Sequence, residues 1–231
     1  MTLNDMVRKI VLLMIWLSFV GYTIWLAPLD RPYTWQVLPK LLTFQLQEVN
    51  SYLVAIFWMM GVWPMIYACL LFTDGRMQNL RAWPYFIGSN FMGVLCLMPY
   101  FLFRQRQQGF VGPKDQWLDL LDRRSTGFTL LGITVLLVAY AVLTGDWQDF
   151  TQQSQSQAFV HLITLDWALM GLVFPLTALF PGDMARHSIH NSAVLWAVAL
   201  VPLFGPLLYL CWRPPFQPAE VRFGNTSPSK A

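Results

Sequence analysis

Few residues in this chain have the type and setting to do chemistry, and Asp166 is the first of them. It stands between Leu165 and Trp167 inside an apolar run. A carboxylate near a bilayer centre costs about 2.5–3.5 kcal/mol on insertion scales, so such a residue is paired or functional. Two readings stay open: a hydrogen-bonded Asp that holds helices together, or a group that couples protons or ions or holds a ligand. Its candidate partners are Ser89, Asn90, Asn191 and Ser192. Asp183, His187 and His190 form a D-x-x-x-H-x-x-H pattern. On a helix these share one face, and a carboxylate with two imidazoles suits a divalent metal. The plain alternative makes Asp183 a helix cap or the partner of Arg186. Asp74 and Arg76 close an earlier turn, where they are expected to pair with each other or with lipid. With only three His, a multi-histidine di-iron centre is excluded.

The elements that must position these groups follow from composition. The chain is 56% apolar and 12% charged, whereas soluble domains carry roughly 25% charged residues. Eleven Trp suit a headgroup level that satisfies ring and N–H together. No basic stripe exists to follow phosphates, so nucleic acid is excluded as a partner and the lipid bilayer is expected. Cys69, Cys96 and Cys211 lie far apart in apolar runs and read as helix filling. No phosphate loop, nucleophile elbow, H-E-x-x-H or catalytic acid pair occurs, and no cofactor is indicated.

A hydrocarbon core of about 30 Å takes roughly 20 apolar residues per helix. Six stretches qualify: 10–27, 52–72, 83–103, 128–143, 159–180 and 191–212. The fold class is therefore all-α, a polytopic bundle of six spans. The first stretch, preceded by Arg8 and Lys9, has no small-residue cleavage pattern and reads as a retained helix. Prolines at 64, 99, 175, 202 and 206 predict kinks. Residues 74–81 and 182–190 read as tight turns. Residues 41–49 read as a surface helix or an extension of the second span. Trp117, Leu118, Leu120 and Leu121 among three Asp suit a short interfacial helix. Residues 214–231 read as a flexible tail. With six spans, Lys and Arg divide seven to eight between the two sides, and orientation is undecided.

The halves echo one another. Met60-Gly61 matches Met170-Gly171, Pro64 matches Pro175, Asp74 matches Asp183 and Arg104 matches Arg213, at offsets of 110, 111, 109 and 109. Units 1–104 and 125–213 would each hold three spans, an odd number, and would sit inverted in the membrane, as transporter repeats do.

The segment MGVWPMIYACLLFTDGRMQ with AWPYF and LMPYFLFR, and the later LDWALMGLVFPLTALFPGDMAR, resemble a family of uncharacterised multi-spanning proteins of cyanobacteria and plant chloroplasts. These segments cover about a third of the chain. The resemblance implies a thylakoid or plasma membrane and implies no reaction. The leading expectation is a non-enzymatic accessory protein that assembles or organises protein, pigment or lipid partners. A small ion-coupled transporter using Asp166 and a membrane enzyme acting on a lipid or isoprenoid are the alternatives.

Overall fold

Caps, prolines and glycines cut the apolar sequence into helices, and the computed structural model describes the result for residues 3–25, 27, 37–105, 110 and 113–216. Of the expected tail, residues 217–231 lie outside these described residues. α1 (Leu3–Trp25) precedes a short α2 (Val37–Leu42) and a 3₁₀ turn at Leu46–Glu48. The Asn50 side chain accepts the Tyr52 amide at 3.0 Å and starts α3 (Ser51–Gly75), so residues 41–49 do not extend that helix. α4 (Trp83–Met92) opens with Pro84 in its first turn, where the missing N–H is no loss, and α5 (Val94–Phe103) follows after Gly93. Asp115 caps α6 (Gln116–Asp122) through the Leu118 amide, and α7 (Arg124–Thr144) comes next. Asp146 accepts the amides of Gln148 and Asp149 and starts α8 (Trp147–Ser156), a polar helix absent from the expectations above. α9 (Ala158–Leu176) and α10 (Leu179–Arg186) follow. Asn191 caps α11 (Ser192–Leu200), and α12 (Phe204–Trp212) completes the described helices.

The described structure is helical throughout, as expected. Among the described residues four helices, not six, are long and apolar enough to cross a membrane: α1, α3, α7 and α9. The third expected span turns back on itself. The rings of Tyr85 and Tyr100 lie 5.6 Å apart, whereas one continuous helix would separate them by about 22 Å. α4 and α5 have ten residues each, about 15 Å, half of a hydrocarbon core. The sixth expected span does the same. Gly205 lies so close to Val198 that a Cβ would overlap the Val198 backbone.

Local chemistry explains both reversals. Ser89 and Asn90 each donate their side chains to the Phe86 carbonyl and so compete with the helix. Gly93 then takes φ 50° and ψ −129°, a conformation open to glycine. In the second pair, Pro202 lacks a donor, Leu203 turns to φ 65° and the Phe204 amide donates to the Pro202 carbonyl at 2.8 Å, a γ-turn. Pro99 lies within α5 without ending it.

The expected inversion of the halves is also corrected. Two long helices per half is an even number, and α3 and α9 run the same way. Tyr67 donates to the Met170 carbonyl at 2.8 Å where they cross. Asp74, ending α3, and Asp183, in the helix after α9, meet at one end of the bundle. At the opposite end Asn50 donates to the Asp146 carbonyl and to Asp149, and Thr144 donates to Ser51. The core between α3, α5 and α9 is aromatic, with Trp63, Tyr67, Phe101 and Phe174 buried in mutual contact. In lipid such close packing, rather than escape from water, holds helices together.

Candidate functional site

Each short helical pair is tied to the corner where it starts by an Asp, a Tyr and an Arg. In the first, Asp74 accepts the Tyr100 hydroxyl at 2.9 Å and Arg104 Nε at 2.9 Å, and Arg104 Nη2 donates to its other oxygen. In the second, Asp183 accepts the Tyr209 hydroxyl at 2.7 Å and Arg213 Nη1 at 2.9 Å. The sequence separations are identical, 26 residues from Asp to Tyr and 30 from Asp to Arg. All four charged groups are buried. Buried charges persist only when paired and hydrogen-bonded, and these are.

Arg186 stands between the two ties. Its guanidinium is 3.8 Å from Asp74 and 3.9 Å from Asp183, with 2% of the side chain exposed and Nε and Nη2 making no hydrogen bond. The line of alternating charge continues outward. Arg213 Nη2 is 3.5 Å from Asp122 and donates to the Leu121 carbonyl, and Asp122 accepts Lys114 at 2.6 Å. His187 Nε2 lies 3.2 Å from Asp122 and 3.8 Å from Asp183, yet neither of its nitrogens is hydrogen-bonded. Burial holds the His187 imidazole below its ordinary value, although Asp183 pulls the other way. Burial would raise the Asp183 carboxyl, but Arg213, His187 and Arg186 outweigh it and hold it below the usual carboxylate range.

Asp166 sits at the turn of the first helical pair. Its Oδ1 accepts the Val94 amide at 2.8 Å, at the positive N-terminal end of α5, and its Oδ2 takes no hydrogen bond among the described residues. A Cβ on Gly93 would fall into the carboxylate, so the glycine permits the approach. The Trp16 indole donates to the Leu95 carbonyl beside it at 3.1 Å. The expected partners are corrected accordingly. Ser89 is buried and Asn90 exposed, both bonded within α4, and Asn191 is an exposed cap accepting the Ala193 amide. A main-chain amide at a helix break, not a polar side chain, meets Asp166.

The other expected groups divide. Asp74 and Arg76 do not pair; Arg76 binds Asp115 while Asp74 binds Arg104. Residues 179–186 form α10 rather than a bare turn, and this puts Asp183 and His187 on one face. His190 lies apart, exposed and against the Ser188 carbonyl at 3.1 Å. The expected metal triad is therefore not assembled, and no group of three such ligands occurs among the described residues. Tyr100 and Tyr209 were missed. Their offset of 109 equals that of Asp74/Asp183 and Arg104/Arg213, a signal already present in the sequence. No family model, curated protein or solved structure matches the chain.

Proposed function

We propose that this chain is an integral membrane accessory protein of a photosynthetic-type membrane, thylakoid or plasma, where it organises protein, pigment or lipid partners. The observation that carries the reading is the contrast between a bundle interior that uses its charges to tie helices together and the long faces that α1 and α7 leave uncovered. Met14, Ile24 and Trp25 on α1 and Leu136, Val142 and Leu143 on α7 are exposed along those faces. Surfaces of that kind pack against lipid tails, flat hydrophobic pigments or another protein's helices. The type of membrane rests on the family resemblance of the MGVWP and LDWALMG segments. The two matching Asp–Tyr–Arg ties favour a duplicated unit, with both copies in the same orientation.

Purification from the source membrane in mild detergent tests this, with the absorption spectrum and co-purifying proteins read together. Pigment or photosynthetic subunits at fixed stoichiometry are the expected result. A lone, colourless protein overturns the reading. A second reading, a small proton- or ion-coupled carrier, is favoured by Asp166 alone, a carboxylate with one unbonded oxygen at a break between half-length helices. Under that reading Asp166→Asn abolishes flux in reconstituted vesicles. Undiminished flux removes it.

A further inference from the structure

Charge is distributed unevenly once the two helical pairs are recognised as turning back. One end of the bundle holds Arg8 and Lys9 on α1, Arg76 and Arg81 before α4, Arg104, Lys114 and Arg123 between α5 and α7, and Arg124 at the start of α7. Arg186 in α10 and Arg213 after α12 belong to the same end. Contacts bind these segments together: Lys9 donates to the Arg104 carbonyl, Arg124 to the Arg213 carbonyl, and Arg186 lies between Asp74 and Asp183. Among the described residues, ten cations there face six carboxylates, Asp5, Asp74, Asp115, Asp119, Asp122 and Asp183. At the other end, among the described residues, Lys40 is the one cation and faces Glu48, Asp146 and Asp149. The two ends thus differ in the sign of their net charge.

We infer that the Arg-bearing end faces the cytoplasmic side of the membrane, the stroma where that membrane is a thylakoid, and rests on anionic lipid headgroups. Lys and Arg close to spanning helices stay on the side from which the chain is inserted. A leaflet with anionic lipid attracts the same residues. Arg81 and Arg124 are exposed at this end, and Arg81 makes no hydrogen bond or ion pair among the described residues. Trp83, Trp117 and Trp212 are exposed beside them, the ring-and-charge combination that suits headgroup depth. The inference depends on four crossings and is independent of the accessory or carrier reading.

The test uses the full chain expressed in bacterial cells, with single reporters at two exposed positions, Ser125→Cys at the Arg-bearing end and Gln155→Cys in α8. A membrane-impermeant maleimide applied to intact spheroplasts labels Gln155→Cys above the background of the unaltered chain. Ser125→Cys is labelled only after permeabilisation. Labelling of Ser125→Cys in intact spheroplasts overturns the orientation. For the headgroups, the purified protein is placed in phosphatidylcholine vesicles with and without phosphatidylglycerol. A higher unfolding midpoint with phosphatidylglycerol, lost in the Arg81→Gln, Arg124→Gln double variant, is expected. Equal midpoints in the two vesicles overturn the headgroup contact.

Discussion

The two helical pairs share one tie and differ in how firmly it is made. In the first, Arg104 grips both oxygens of Asp74, Gln78 approaches the same carboxylate at 3.4 Å, and Asp166 fastens the far turn through Val94. In the second, Arg213 gives Asp183 one nitrogen, spends another on the Leu121 carbonyl and leaves Nε unbonded. Its far turn has no carboxylate, and a leucine takes the positive φ. A fork-on-fork Arg–carboxylate pair adds geometric restraint to charge attraction, and a single-nitrogen contact adds less. The first pair is therefore pinned at both ends, whereas the second is held at its base and shares that hold with α6. A repeated motif need not repeat its rigidity: the α11–α12 pair has the looser tie, although α12 packs closely on α7, with Gly127 against the Leu210 and Cys211 backbone.

The largest effect is expected from removing each Asp. Asp74→Ala strands a buried guanidinium and should cost about 3–5 kcal/mol. Asp183→Ala should cost about half as much, because Arg213 keeps Asp122 and the Leu121 carbonyl nearby. Unfolding in detergent measures both, and equal losses would break the comparison.

Next in size is the first turn. Gly93→Ala forces a side chain to positive φ at about 1–2 kcal/mol and also displaces Asp166. Gly132→Ala on α7 meets open space and should be neutral or stabilising by about 0.5–1 kcal/mol. A Gly93→Ala variant as stable as the Gly132→Ala control would show that the turn is not pinned.

The smallest effect is in pH. The His187 imidazole is held below its ordinary value, so the unfolded chain binds this proton first and stability falls as pH drops below about 6.5. The Asp183 carboxyl is held low; its contribution is present above about pH 3.9 and is lost as pH falls through its lower folded value. His187→Gln should flatten the upper limb of the stability–pH curve and, because His187 also helps to hold the Asp183 carboxyl low, weaken the lower limb without removing it, Arg213 and Arg186 remaining. An unchanged upper limb would separate the acid response from the second tie.

Part of this was legible beforehand: the apolar lengths of α1, α3, α7 and α9 and the Asp/Arg echo at offset 109 are local or periodic signals. The caps at Asn50, Asp115 and Asn191 are local too but went unrecognised as caps, with Asn191 expected instead as a partner of Asp166. α8 was invisible because its stability comes from the Asp146 cap and side-chain bonds such as Gln153 to Asp149, not from an apolar face. Asp166 was recognised as the intramembrane carboxylate, but its partner was not. A backbone amide becomes available only where a helix is broken, and Gly93 inside an apolar run does not announce a break.

Composition and hydropathy were enough to indicate an all-helical fold with helices long and apolar enough to cross a bilayer, because they measure what each segment can bury. They could not say whether 20 apolar residues cross the membrane or enter and return, since both paths bury the same side chains. That choice was made by contacts 26 and 30 residues apart, where Tyr100 and Arg104 return to Asp74 and Tyr209 and Arg213 return to Asp183. With it came the four helices long enough to cross, the common direction of α3 and α9 and, among the described residues, the gathering of positive charge at one end. A return path costs less than leaving Asp74, Arg104, Asp183 and Arg213 unpaired in lipid, and only the folded chain brings them together.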